Sequence, residues 1–494
     1  MRDYLRDSIL SFWYKYCGVS DEYKTLKSKW TFLADKYKPI LPDLKETFDV
    51  LDKQIEELDR LFRSLELKRE NSDEEPKVDL NIFNTIKNLL FEISVYLGFL
   101  KLAFFQRTVS LEIPRLEIGL PQSPERTIGN EMFYVAADRI AEAYVSCLNI
   151  NKVKWDGFVT FVFPITFSSF PGAIFRPSRT FPLFHVSMSE EQKYFMGSYL
   201  YLAHEVSHGA IYEHPESFLE IVEYVLRTTD KDMVEYQTNL LNFSEETKKI
   251  AALKKCCDCE YSYILQKATV KIDKLDYEYP VKNIIYSCKD ILEEVLADLI
   301  AIKIGGIHTL TATFNEICDL FYTLLRYNGK LVPKLLLGQS TVRFYGVLEY
   351  LCNTGQKPDT LEKLEHNFKE MLNKTKNHIE QNSEELMLIE KVCKPCLIKL
   401  GKTWGEKIAE LDKYTISETG KSVFSKFVRD DKFFEYTDDE VTSVRDKIVN
   451  GETVPTEDPR LILHAYYDAL TNGLYPNFTA TLYSIIYNTY RSTD

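Results

Sequence analysis

Several absences narrow the reading of this sequence before any motif is considered. The N-terminal stretch MRDYLRDSILSFWYKYCGVS lacks the charged-then-apolar pattern and small-residue cleavage site of an export segment. No uninterrupted apolar run approaches the length of a membrane span, and the most apolar stretch, NLLFEISVYLGFLKLAFF, is broken by Glu92 and Lys101. Together these predict a soluble, cytoplasmic protein with no membrane partner. Long Pro/Gly/Ser tracts and internal repeats are also missing. With 45% hydrophobic and 27% charged residues, the chain has the composition of a folded protein rather than a disordered one. Positive charge is in short supply: 61 Lys and Arg stand against 74 Asp and Glu, a formal net charge of -13, which opposes nonspecific binding to nucleic acid. Ten cysteines without an export signal read as reduced thiols, and 494 residues can bury two or three cores without disulfides.

What is present is mostly helical patterning. Leu41, Leu44, Phe48, Leu51, Ile55, Leu58, Phe62 and Leu65 alternate at spacings of three and four, a heptad seam. A second apolar helical stretch covers 80–106, and the polar KRENSDEEPKVD between them predicts a turn. Such a hairpin can pack on itself or pair with a second chain, which makes it the candidate route to a homo-oligomer. From 112 the texture changes: Pro114, Pro121 and Pro124 punctuate a connector, a helix is expected over 130–148, and GFVTFVFPITF and FPLFHVSMS read as strands. Ser189 and Gln192 then suit a capping box for a helix running to about Tyr212. Beyond it nearly everything patterns as helix, with breaks expected at Pro280, Pro333, Pro358, Pro395 and Pro455. The expected fold is mainly α with a small β-sheet, in three parts: a helical region over 1–111, a core over 112–355 and a helical region over 356–494.

The stretch YLYLAHEVSHGAIYEH carries the chemistry. On a helix, His204 and His208 share a face and can offer two imidazole nitrogens to one ion, with Glu205 beside them. A catalytic zinc takes three protein ligands and leaves a position for water, and a neighbouring carboxylate can take that water's proton. Glu205 is the expected base. Two candidates compete for third ligand. His214 stands where the extended H-E-x-x-H-x-x-G-x-x-H pattern has its last histidine, but the glycine that turns the chain there is Ile211. Glu294, in DILEEVLADLIAIKIGG, lies on a second helical pattern with Asp298 one turn further on, where Asp298 can accept the outer N–H of a ligating histidine. Both acids are embedded among Ile291, Leu292, Val295, Leu296, Leu299 and Ile300, which argues against a merely solvated stripe. We expect Glu294.

Over residues 181–300 the sequence resembles the gluzincin metallopeptidases, in which an H-E-x-x-H helix is completed by a glutamate in an E-x-x-x-D pattern on a later helix. The resemblance implies a zincin-like catalytic core with zinc on His204, His208 and Glu294, Glu205 as base, Asp298 behind a ligand, and FPLFHVSM as the edge strand for an extended peptide substrate. EEVLADLIA is also similar to a branch that includes membrane proteases, but where that branch has T-H-P before an arginine this chain reads GQSTVRFYG, with Arg343 in place. Other constellations are weaker. Cys256, Cys257, Cys259, Cys393 and Cys396 have partial zinc-site spacing, and His185, His308 and His464 are candidates for contacting substrate or polarising a carbonyl. The expected activity is zinc-dependent hydrolysis of peptide bonds. The alternatives are a noncatalytic scaffold that keeps a zincin core, against which the intact Glu205 argues, and a zinc hydrolase of a non-peptide substrate.

Overall fold

The computed structural model describes residues 2–38, 40–70, 80–112, 131–162, 177–178, 180–190, 192–228, 279–315, 332–377, 394–454 and 458–491. Within these the chain is mainly helical, with one two-stranded parallel sheet. It divides into two compact units, one of residues 1–146, 150–202 and 437–494, the other of residues 147–149 and 203–436. These cut across the three sequence segments bounded at 111 and 355. The expected prolines fall at helix starts: Pro280, Pro333, Pro358 and Pro395 each occupy one of the first two positions of a helix, where a missing N–H costs nothing. Pro455 and the Cys256, Cys257, Cys259 and Cys393 positions lie outside the described residues.

The first unit opens with α1 (Arg2–Ala34), α2 (Lys45–Glu70) and α3 (Leu80–Glu112). The heptad seam is spent inside the chain. Leu41, Leu44, Phe48, Leu51, Ile55, Leu58 and Phe62 are buried in one core with Trp30, Leu89, Ile93 and Leu100. Those seam positions are therefore not free to pair with a second copy. Among the described residues α3 is the one helix long and apolar enough to cross a membrane on length and composition, and its Ile86, Ile93, Tyr96, Leu100 and Ala103 face is fully buried in this core.

Next come α4 (Glu131–Ser146), β1 (Lys154–Val162) and β2 (Leu183–Ser189), the two strands pairing in parallel. Arg107, fully buried, ties α3 to α4 and β1. Its Nη1 lies 2.6 Å from Asp138 Oδ2, and its Nη2 donates to Asp138 Oδ1 at 2.9 Å and to the Val159 carbonyl at 2.9 Å. Removing one partner of such a pair costs about 3–5 kcal/mol, because the other charge is left buried and alone.

The register of β1 shifts between Trp155 and Val159, at Gly157, whose φ of 79° few residues with a Cβ adopt. The bulge sets Asp156 against His185 on β2. Asp156 Oδ2 meets His185 Nδ1 and accepts from the Tyr96 hydroxyl at 3.2 Å, while His185 Nε2 lies 2.6 Å from Thr160 Oγ1. Burial pushes the Asp156 carboxyl up, and His185 opposes the shift. The hydroxyl, imidazole and carboxylate are in the order of a nucleophilic triad. However, Asp156, Thr160 and His185 are at most 1% exposed, with the Phe99 and Phe158 rings against the imidazole, so the network is a sealed tie between strands and His185 does not face a substrate.

The stretch expected to run helically from 190 begins differently. Ser189 and Gln192 do exchange bonds, Ser189 N–H to Gln192 Oε1 at 2.5 Å and Gln192 N–H to Ser189 Oγ at 3.3 Å. But 192–194 and 196–201 are 3-10 turns separated by an extended Phe195. A Cβ at Gly197 would collide with the Phe195 ring and come within 3.1 Å of Tyr467, on α12 (Pro459–Thr471) of the same unit. Helices α11 (Asp438–Val449), α12 and α13 (Phe478–Arg491) complete this unit.

In the second unit, α5 (Leu202–Glu213) is followed directly by α6 (Pro215–Thr228), then α7 (Tyr279–Gly305), α8 (Val332–Asn353), α9 (Pro358–Asn377) and α10 (Lys394–Thr419). α8 and α10 cross at backbone contact, through Gly401 and Gly405 against Gly346. A Cβ at Gly405 would strike the Gly346 carbonyl and lie 2.9 Å from Glu349 Cβ. This crossing seats the helix that carries Arg343.

Candidate metal centre

His204 and Glu205 lie in the first turn of α5 rather than late on a long helix, and His208 follows one turn on. All three are buried: His204 is 2% exposed, Glu205 5% and His208 6%. α7 lies beside them and supplies Glu294, whose side chain keeps 30% of its surface open. The donor atoms of His204, His208 and Glu294 fall within 4.8 Å of one another.

The spacing of these atoms suits an ion. His204 Nε2 and His208 Nε2 are 3.3 Å apart, His204 Nε2 is 3.3 Å from Glu294 Oε2, and His208 Nε2 is 3.7 Å from Glu294 Oε1. Ligands about 2.0–2.1 Å from a tetrahedral ion sit about 3.3–3.4 Å from each other. Both outer nitrogens face carboxylates: His208 Nδ1 is within hydrogen-bond reach of Glu293 Oε1 at 3.2 Å, and His204 Nδ1 is at ion-pair distance, 2.8 Å, from Asp298 Oδ1 without hydrogen-bond alignment. In the tautomers with the proton on Nδ1, both Nε2 atoms direct lone pairs at each other and at a carboxylate. That arrangement calls for a cation or a proton at its centre.

The electrostatics agree. Burial alone would lower the His204 pKa, but Asp298, with help from Glu294, pushes it up to about 9. Burial pushes the Glu294 carboxyl up, yet Arg343 and the two histidines hold it well below the usual carboxylate range. Asp298 is likewise lowered, by Arg343 and His204 against its burial. Arg343 makes this possible by gripping both acids: Nε and Nη2 donate to Asp298 at 3.1 and 2.9 Å, and Nη1 lies 2.9 Å from Glu294 Oε2.

His214 is elsewhere. α5 passes through Ile211 unbroken, and the His214 N–H continues the ladder to the Ala210 carbonyl at 3.1 Å. Its Nε2 is 2.7 Å from the Asn149 carbonyl and its ring meets Phe427. His308 and His464 do not belong to the cluster either, the former half-buried in the second unit and the latter buried on α12.

Two contributors escaped the sequence reading, Glu293 and Tyr212, whose hydroxyl donates to Glu293 Oε1 at 2.9 Å. The available signal was Glu293 itself, an acid in the most apolar part of α7. No protein-family model, curated protein or solved structure matches this chain.

Proposed function

We propose that the second unit carries a zincin-like site and that the protein is a zinc-dependent hydrolase acting on peptide bonds. The observation that carries this reading is the convergence of two imidazole lone pairs and one carboxylate at tetrahedral spacing, with Glu205 adjacent in the chain. Two nitrogen donors and one oxygen donor are the set of a catalytic zinc with a position left for water. A bound zinc would supply Lewis acidity, polarising a carbonyl and lowering the pKa of a water to about 7.

The chain's own residues do the rest. The Asp298 and Glu293 carboxylates beside the two Nδ1 atoms favour the protons there, which leaves both Nε2 atoms available. Arg343 keeps Glu294 and Asp298 ionised. Glu205 takes the proton from water and returns it to the leaving amine. The burial of Glu205, at 5% exposed, favours a second reading: a structural metal in a noncatalytic scaffold, which needs no open base.

One experiment separates them: metal analysis of the purified chain, with a proteome-wide cleavage screen run beside a Glu205→Gln control. Zinc near one equivalent and cleavage lost in the control support the peptidase. Zinc without cleavage supports the scaffold, and a chain that takes up no divalent metal ends both readings.

A further inference from the structure

We infer that Glu293 and Tyr212 are a positioning pair for His208, a support separate from the Asp298 and Arg343 pair behind His204. The inference rests on the metal-site reading above. α7 brackets the cluster: Glu294 faces the inner nitrogens, Asp298 four residues later meets the outer nitrogen of His204, and Glu293 meets the outer nitrogen of His208. Glu293 is 6% exposed, so its carboxylate is held out of water where it must find partners. Its Oε1 meets His208 Nδ1 at 3.2 Å and accepts from the Tyr212 hydroxyl at 2.9 Å.

Tyr212 acts twice. Four residues after His208 on α5, its ring stacks on the imidazole, with centroids 6.2 Å apart and planes 25° apart, while its hydroxyl fixes the Glu293 oxygen that the imidazole uses. His208 is thus held along its ring face and at its outer nitrogen. An imidazole whose Nδ1–H is committed to a carboxylate presents Nε2 in one tautomer and one orientation, and is the more basic ligand for it.

The test uses the full chain, stripped of metal, with Zn2+ affinity measured by competition against a chromophoric chelator and the visible spectrum of the Co2+ form recorded. Glu293→Ala should lower Zn2+ affinity about 10- to 100-fold. Glu293→Gln keeps an acceptor oxygen for both partners without the charge and should recover part of that loss. Tyr212→Phe keeps the stack and loses the hydroxyl, giving a smaller loss and an altered Co2+ spectrum. A pair that merely packs α5 against α7 would change the melting temperature of the metal-free chain while leaving affinity and spectrum as in wild type. Wild-type affinity in Glu293→Gln and Tyr212→Phe overturns the inference, including when Glu293→Ala does not fold, and leaves the metal site standing. A wild-type chain that binds no Zn2+ removes the metal site and the inference together.

Discussion

Removing the third ligand tests the centre most directly, because the sequence offers two candidates and the structure separates them. Glu294 places one carboxylate oxygen 3.3 Å from His204 Nε2 and the other 3.7 Å from His208 Nε2. His214 is ten residues after His204 on an unbroken helix, hence roughly 15 Å further along the axis, and its Nε2 is engaged by the Asn149 carbonyl. A four-ligand structural zinc contributes about 10–16 kcal/mol, so one ligand of comparable quality is worth about 2.5–4 kcal/mol. At about 1.4 kcal/mol per decade, Glu294→Ala should weaken zinc by roughly 100- to 1000-fold. Losing the Glu294 carboxylate also removes one of the two acids that balance the Arg343 guanidinium near the ion, leaving Asp298, which pushes the result toward the upper end. His214→Ala should leave affinity within about two-fold of wild type and cost instead about 0.5–1.5 kcal/mol of folding stability through its hydrogen bond to Asn149. The assay is chelator competition for affinity and urea unfolding of the metal-free chain for stability. The reasoning is refuted if Glu294→Ala binds zinc like wild type, or if His214→Ala loses it.

Three further outcomes follow from the same geometry. Glu205→Gln should keep zinc, since Glu205 is outside the converging donor set, and should lose at least about 100-fold in hydrolysis, read against any substrate found in the cleavage screen. Arg343→Met leaves Glu294 and Asp298 short of positive charge in a site where Arg343 is only 8% exposed; the metal-free chain should lose about 3–5 kcal/mol in urea unfolding, with added zinc restoring part of it. Gly405→Ala should lower the melting temperature despite the usual helix preference for alanine. The new methyl would strike the Gly346 backbone of α8, a typical overpacking cost of about 1–3 kcal/mol.

How far the sequence carried depends on which force decides each feature. Helices α2, α3 and α4 and both strands were legible because their apolar spacing is set by a single buried face or a continuous buried run. The entry to the motif helix was not. Residues 190–201 have helical periodicity, but Phe195 is extended and Gly197 is wedged between the Phe195 ring and Tyr467, so packing against a helix more than 260 residues later overrides local preference. That is a tertiary decision with no local signature beyond the glycine.

The site divides along the same line. His204, Glu205 and His208 announce themselves by spacing on one helix, and Ile211 in place of glycine showed that the helix would carry His214 onward. Glu294 and Asp298 stood out as acids in an apolar helix. What periodicity could not do was sort Glu293, Glu294 and Asp298 among their partners, because over residues 291–300 the helix is apolar and buried on most sides: Ile291, Leu292, Val295, Leu296, Leu299 and Ile300 leave no clear solvent face to orient it. Where a helix has so little outside, each polar side chain on it must be satisfied by something specific, and that requirement is itself informative. Three acids in six residues, Glu293 and Asp298 buried and Glu294 partly open, demand a comparable set of donors around them. The chain meets the demand with two imidazoles, one guanidinium and one phenol, and the converging inner nitrogens are where the remaining need for positive charge is concentrated.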